Sequence, residues 1–432
     1  MSDILMQDTP PRQTYVRILL VIAIWVVVFW VNSGSVYPID FSSIYIAATF
    51  YADGAFDMIF PPSDQFFWDE PPLAWRAQAE AAAAQFHTTP EQFPPYIYPP
   101  LWAAVFAPFT EWVSFRAAAG MNLALNLASG AVMIWMGAAL FGPRAETIFR
   151  WVLLAALLSA TSMAAHLSFN LGQAQVFVSA LVLLSMLQLS RGRDFRAGGW
   201  LALAAAIKLT PALFVVIFVM ERRWRALATF FVVGGALAGL SVMATGWALH
   251  EQFMAKLGMI EGDVLLSRVH LGLDQALFYA QQAVSGGFDW AVHLPRVEPK
   301  PVWIDWSIKL CLLSGTCLTW WVTRALDTGP RLWGRLLLLQ LLSILVSPLG
   351  WLHYLFLPLL LLPGLIELRP TRAVWAAGFM ALIGFSVVMF SFIFKQFLVI
   401  PVQSLFHVAL VVFLFSVTVV VLAHTPRGEV SS

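Results

Sequence analysis

Charge is what this sequence has least of: Asp, Glu, Lys and Arg make up 11% of its 432 residues, against about 25% in an average soluble domain. With 60% of residues hydrophobic and a mean hydropathy of +0.77, a soluble globular protein is excluded and a polytopic membrane protein remains. The net charge of +1 provides no basic face that could release counterions from a duplex, so no nucleic-acid partner is expected. Cysteine is nearly absent as well. Cys311 and Cys317 both fall in the apolar run from Ile304 to Trp320, which predicts reduced thiols in the core rather than a disulfide. No zinc-type spacing occurs. No cleavage site follows the first apolar run, and Arg12 and Arg17 precede it, so it reads as a retained span with a cytoplasmic N-terminus.

What is there is long apolar runs separated by sorted charges. The first run, Val16 to Val31, leads into a polar stretch, Asn32 to Tyr98, that holds eight acids (Asp40, Asp53, Asp57, Asp64, Asp69, Glu70, Glu80, Glu91) against one base, Arg76. The near absence of Lys and Arg fits a translocated loop. Several of the runs that follow are shorter than the roughly 20 residues of a simple helical span. Broken helices at membrane depth are tolerated only where protein or a polar cavity covers the freed backbone, so a cavity within the membrane is expected.

Arg191, Arg193 and Arg196 precede the short runs Leu201 to Leu209 and Ala212 to Met220, and Arg222, Arg223 and Arg225 follow them. Both ends are then cytoplasmic, and the pair forms a hairpin with Lys208 and Pro211 near its tip. A second outer loop, Gly246 to Trp303, comes next. The later runs alternate with Arg324, Arg331, Arg335, Arg369, Arg372 and Arg427 on the inner side, which leaves Ser347 to Tyr354 near the outer face. Arg144 and Arg150 conflict with this scheme if Leu101 to Phe109 and Ala117 to Phe141 both cross fully. Either the shorter run does not cross or these arginines sit at the outer interface. The expectation is one all-α membrane domain, residues 1–432, with ten to thirteen membrane helices and two large outer loops near 32–98 and 246–303.

Five polar places stand out. Asp40 lies just past the first span, and an ionisable group at the mouth of a membrane-embedded protein is a functional candidate. It reads either as the N-cap of a short interfacial helix from Phe41 to Tyr51 or as a general base at the opening of a cavity. Tyr96 and Tyr98, where the loop re-enters, read as interfacial anchors or as ligand contacts, since sugars and polyprenyl chains pack on aromatic faces. Gln173 sits in the polar break Asn170 to Gln175, otherwise an ordinary hairpin turn at Gly172. Lys208 is an ammonium too far inside an apolar run to be a simple snorkel, so it binds an anion or sits in a structural salt bridge. His353, near Trp351, follows a Pro, Gly and Trp break that turns it toward a cavity. A lone His in an apolar setting is otherwise a hydrogen-bonded core residue.

At these places the chain resembles glycosyltransferase family 87, the polyprenyl-phosphate-dependent mannosyltransferase-like group. The matching elements are Asp40 with Tyr45, Tyr98-Pro99-Pro100, Gly172-Gln173, Lys208 with Pro211 followed by Arg222-Arg223-Trp224, and Ser347-Pro348 with Trp351 and His353. They occur in the family's order; relatives often carry a second His after the first, where this chain has Tyr354. The resemblance implies a GT-C architecture, many membrane helices around an outward cavity, with Asp40 as the loop aspartate that acts as base. It implies Lys208 and His353 at the donor phosphate, and Tyr45, Tyr96, Tyr98, Gln173 and Trp351 as substrate contacts. The implied partners are a polyprenyl-phosphate sugar donor and a lipid or glycan acceptor. No cofactor is expected, and no metal, because the donor lacks the diphosphate of a sugar nucleotide. The rival from another class is a secondary transporter or lipid-linked sugar flippase, which also uses broken helices and intramembrane charge.

Overall fold

The structure, a computed structural model, describes residues 12–61, 70–142, 147–287, 295–394 and 399–425; Asp64, Asp69, Arg144 and Arg427 lie outside these. Apolar periodicity and Gly or Pro punctuation divide the chain into helices. The first half comprises α1 (Arg12–Ser33), α2 (Ile39–Ala52), α3 (Leu73–Ala84), α4 (Leu101–Thr110), α5 (Phe115–Phe141), α6 (Ile148–Thr161), α7 (Met163–Asn170), α8 (Gln175–Ser190), α9 (Asp194–Ile207), α10 (Val215–Met220) and α11 (Trp224–Thr245). The second contains α12 (Trp247–Gly262), β1 (Asp263–Leu266), α13 (Leu273–Ser285), β2 (Arg296–Pro299), α14 (Val302–Thr323), α15 (Thr328–Val346), α16 (Phe356–Leu361), α17 (Pro363–Leu368), α18 (Arg372–Gly384) and α19 (Ile400–Ala423). The two strands pair antiparallel, Asp263 opposite Pro299.

This is a multi-pass membrane protein. Five described helices, α1, α5, α11, α15 and α19, are long and apolar enough to cross a bilayer. The pair α7 and α8, bent by 113° at its break, makes a sixth if counted as one span, and five shorter apolar helical stretches accompany them. The ten to thirteen membrane helices expected from the sequence therefore divide into full-length, bent and short ones. Peripheral and central helices differ in what they bury. α1 exposes Val16, Leu19, Leu20, Ile24, Val27 and Val31, a face suited to lipid. α15 buries almost every residue from Leu332 to Leu345, as a helix apolar on all sides must. Lipid supplies no hydrophobic drive between helices, so close packing has to hold them. The ring of Trp25 lies where a side chain on Gly130 would stand, and that of Trp333 against Gly364. Their indole N–H groups donate to Ser159 Oγ (2.9 Å) and Leu361 O (3.0 Å). Cys311 is half-buried and Cys317 exposed on α14, so the thiols expected in the core lie on a peripheral helix, between exposed Leu310, Leu313 and Trp320.

Helix direction fixes two ends. α8 runs from Gln175 to Ser190 and α15 from Thr328 to Val346, and they run in opposite directions, since Gln175 and Ser179 share a cavity with Ser343 and Ser347. One end therefore gathers Asp40, Gln173 and Ser347, the other the arginines. The hairpin expected from the flanking arginines is present: α9 leaves the arginine end, breaks at Lys208, and α10 returns. α4 does not cross. Its far end reaches Tyr45, whose hydroxyl donates to Val113 O at 2.8 Å, and α5 starts there with Phe115 against Tyr37, Phe41 and Tyr45. Of the two readings of Arg144 and Arg150, this is the non-crossing one. Arg150 lies at the arginine end, paired with Glu367 at 2.7 Å.

At that end Glu221 is the hub. Its carboxylate accepts from Arg331 Nε at 2.8 Å and Arg335 Nη1 at 2.5 Å, and the Arg335 side chain is only 3% exposed. Removing one member of a buried ionic group leaves the others uncompensated, at a cost of about 3–5 kcal/mol. Glu221→Ala should therefore lower the thermal unfolding midpoint of the detergent-solubilised protein strongly, while Lys309→Ala, which breaks the exposed pair with Asp305, should leave it near the wild-type value.

Candidate active site

The site begins with a bend. Between α7 and α8 the chain turns through Leu171, Gly172 and Gln173, and Gly172 takes φ +67°, a left-handed conformation that costs other residues energy. A side chain there would also lie 2.8 Å from Phe41 Cβ and 2.9 Å from Pro38 Cβ. The bend is tied down from three sides: Asn122 Nδ2 donates to Gly172 O (3.0 Å), Ser33 Oγ to Asn170 Oδ1 (2.7 Å), and the Gln173 amide to Ser168 O (3.0 Å).

On this platform rests the first turn of α2. The backbone N–H groups of Asp40 and Phe41 both donate to Leu171 O, each at 3.1 Å, so the bend satisfies two of the amides that a helix start leaves over. The helix starts one residue before Asp40, and Pro38 occupies the cap position without a side-chain hydrogen bond. The N-cap reading of Asp40 is thereby corrected: Pro38 holds the cap position, the Ser42 amide that a capping Asp40 would reach donates to Pro38 O at 3.0 Å, and the carboxylate makes no capping bond. Gln173 Nε2 donates to Asp40 Oδ2, and among the described residues no other donor reaches that carboxylate. Asp40 sits deep among protein atoms yet keeps part of its surface open, the signature of a cleft wall. Burial pushes its carboxyl up, to about 6, against the opposing pull of Lys208 and the Gln173 amide.

Lys208 lies close enough to Asp40 for the two charges to interact. α9 ends at Ile207, where Trp102 Nε1 donates to the Ala206 carbonyl at 2.8 Å, and Lys208 itself is extended before the Pro211 turn. Its ammonium lies 4.6 Å from the centre of the Tyr354 ring and 5.8 Å from that of Tyr98, faces that attract cations. Its charge acts on Asp40 and on His353, and among the described residues it makes no ion pair within 4.0 Å. His353, buried, follows Trp351 in the break after α15; the two rings stack at 6.4 Å with 17° between planes, and His353 crosses Tyr354 edge-on at 4.7 Å. His353 Nε2 and Gln173 Oε1 are buried without a hydrogen-bond partner. Such atoms are uncommon in folded proteins and mark places where a further group can bind. Beside Tyr354 and Thr210 lies a small cavity of about 20 Å³, with Gln175, Ser179, Gln340 and Ser343 on its walls.

The structure thus brings Asp40, Gln173, Lys208, Tyr98, His353 and Trp351 together. It does not bring Tyr45, five residues and about 140° around α2 from Asp40, whose hydroxyl is bound to Val113. Nor does it leave the Tyr96 hydroxyl open, since that donates to Pro99 O at 2.8 Å within a buried aromatic cluster. Tyr354 and Gln175 are the members that sequence reasoning passed over. Both stand in the quoted breaks, but only the fold shows that Tyr354 underlies Lys208. Among the described residues no group of three or more His, Cys, Asp or Glu side chains could hold a metal ion.

A carboxylate and an ammonium whose charges interact at one end of a membrane helix bundle make a candidate site for a substrate with an anionic part. Residues 96–348 match glycosyltransferase family 87, more than half of the chain, and the protein belongs to that family. It is 27% identical over 296 residues to a polyprenol-phosphate-mannose-dependent alpha-(1-2)-phosphatidylinositol mannoside mannosyltransferase of Mycobacterium tuberculosis, covering 66% of this chain and 65% of that protein. It is 28% identical over 300 residues to a polyprenol-phosphate-mannose-dependent alpha-(1-2)-phosphatidylinositol pentamannoside mannosyltransferase of the same species, covering 68% and 64%. The chain thus spans slightly under two thirds of the length of these relatives. Among solved structures, ArnT from Cupriavidus metallidurans bound to undecaprenyl phosphate is similar with a TM-score of 0.41 and 12% identity, over 96% of this chain and 78% of that one.

Gly172→Ala tests the platform. A Cβ at positive φ, pressed against Phe41 and Pro38, should destabilise the fold by about 1–3 kcal/mol, read as a lower unfolding midpoint in detergent. The neighbouring Asn122→Ala, which removes one tether, should lower it less.

Proposed function

We propose that the protein is an inverting hexosyltransferase of GT-C architecture that moves a sugar, mannose by preference, from a polyprenyl-phosphate donor to a lipid or glycan acceptor. The observation that carries this reading is the proximity of Asp40, gripped by Gln173, to Lys208, an ammonium held over two tyrosine rings, whose charge acts on Asp40. Family membership favours it over the transporter reading, and the relatives' polyprenol-phosphate-mannose dependence supports the donor class. The chain covers 65% and 64% of these relatives, so their acceptor and linkage are not carried over to it.

The chemistry follows from charge. The acceptor hydroxyl oxygen attacks the anomeric carbon, the bond from that carbon to the phosphate oxygen breaks, and the hydroxyl proton passes to Asp40. The base acts from the face opposite the leaving group, as in an inverting glycosidase, so the anomeric centre inverts. The departing polyprenyl phosphate gains negative charge and needs stabilisation more than protonation. Lys208 supplies that charge, and His353 Nε2, without a partner in this structure, supplies a hydrogen bond. Tyr98 and Trp351 offer faces for the sugar. Because the donor carries a single phosphate, the reaction as proposed calls on no metal.

The arginine-rich end is the cytoplasmic one by the positive-inside rule. The site then faces the periplasm, in the inner membrane, with the N-terminus in the cytoplasm.

Membranes containing the protein, given radiolabelled polyprenyl phosphoryl mannose and a native lipid extract, should transfer label to new products. Asp40→Asn should slow this at least about a hundredfold, the lower range for loss of a general base, with donor binding kept. Equal transfer by both removes Asp40 from the chemistry. The wild-type rate should also fall as the pH drops below about 6, where the raised Asp40 carboxyl takes up a proton and can no longer accept one, and level off above it. Because the Gln173 amide favours the ionised carboxylate, Gln173→Leu should move this acid limb to higher pH.

A further inference from the structure

The second long loop segment, 246–303, carries no motif, yet it holds a buried ionic cluster. Asp274, at the start of α13, is 2% exposed. One of its oxygens lies 3.8 Å from His270 Nε2, the other 3.8 Å from Lys300 Nζ, and Lys300 donates onward to Glu261 O at 2.8 Å. His270, fully buried, has its Nδ1 2.8 Å from the Leu265 carbonyl. A carbonyl only accepts, so Nδ1 carries a ring proton, and Nε2 stands 3.8 Å from the carboxylate, beyond hydrogen-bond distance. Gln275 closes the group: its side-chain amide donates to His270 O and its backbone N–H to Asp274 Oδ1 at 2.9 Å. No side chain fits on Gly272 without striking both His270 and Asp274.

The cluster holds one short stretch of chain, Val269 to Leu271, and that stretch pairs with the break that carries His353. Leu271 N donates to Gly350 O at 2.6 Å, and Leu352 N to Val269 O at 2.8 Å. These bonds frame an antiparallel bridge with His270 opposite Trp351. The two rings are 6.4 Å apart, and Trp351 in turn stacks on His353. The segment also has a small core of its own, Val264, Leu266, Phe278, Tyr279 and Ile304, separate from the main one. A buried ionic cluster stabilises less than apolar packing of the same volume, so stability alone does not account for it. Fixing the register of a strand pair does.

We propose that Asp274, acting through His270, is a positioning residue: it clasps the 246–303 segment onto the Gly350–Leu352 backbone and so aims Trp351 and His353 at the donor. This rests on the transferase reading above. Misplacing a group by about 1 Å costs on the order of a hundredfold in rate, so the clasp has leverage without touching substrate.

The test is Asp274→Asn in the full-length protein, with two readouts. Amide hydrogen exchange at Leu271 and Leu352 should rise in the variant, and this needs no knowledge of the reaction. With radiolabelled polyprenyl phosphoryl mannose, kcat/KM for the donor, measured well below the variant's lowered unfolding midpoint, should fall ten- to hundredfold. A second variant separates positioning from charge. In a background with Cys311 and Cys317 replaced by Ser, Val269→Cys with Leu352→Cys places two thiols on the paired backbones, within reach of a disulfide. Oxidation should restore transfer to Asp274→Asn, and reduction should remove it again. Unchanged exchange and unchanged kcat/KM overturn the proposal, and so does a loss of transfer that the formed disulfide fails to rescue. A wild type that transfers no label fails the transferase reading instead, and the exchange readout then still decides whether the clasp exists.

Discussion

One carbonyl oxygen organises the site end of this protein. Leu171 O accepts the backbone N–H groups of both Asp40 and Phe41, which docks the start of α2 on the bend between α7 and α8. The glycine at that bend lets the two backbones approach, and the next residue, Gln173, reaches the Asp40 carboxylate. Were Asp40 the cap, as its place near a helix start suggests, its oxygens would be spent on the Ser42 or Ser43 amide. The helix starts earlier, Pro38 O takes the Ser42 amide, and the carboxylate is left to Gln173.

The two ends of the bundle treat buried charge in opposite ways. At the arginine end Glu221 satisfies Arg331 and Arg335 with direct pairs, and the cluster holds α10 to α15. Around Asp40 the charges are left short: one hydrogen bond to the carboxylate, aromatic faces for Lys208, and unpaired atoms on His353 and Gln173. Charge that is deep and incompletely paired costs free energy. Under the proposed function, a substrate completes the pairing around Asp40 and Lys208.

The family match covers residues 96–348 and so takes in Tyr98, Gln173 and Lys208 while leaving Asp40, Trp351 and His353 beyond its limits. The geometry joins the two groups. Asp40 is attached to the matched region by Leu171 and Gln173, and His353 by Ser168, whose hydroxyl points to the His353 carbonyl at 3.4 Å. The segment that follows α11 has a place in the same assembly through its bridge to Trp351.

Much of this was legible before any coordinates. Low charge and long apolar runs determine a helical membrane protein, since only helices or closed barrels satisfy backbone groups in lipid. The arginine clusters determine which turns share an end, and polar residues lodged in apolar breaks marked Asp40, Gln173, Lys208 and His353, because their cost there demands a use. The rest needed the tertiary structure. That α4 turns back rather than crossing depends on what its far end meets, and the Tyr45 contact with Val113 is 68 residues away in sequence. That Tyr354 carries the Lys208 ammonium while Tyr45 and Tyr96 serve the scaffold depends on which helix face packs where. The His270 and Asp274 cluster was invisible because nothing in its local sequence differs from an ordinary solvated loop. Residue chemistry and hydropathy are local properties and can be read along the chain; whether a polar atom finds a partner is a property of packing, settled only when distant segments meet.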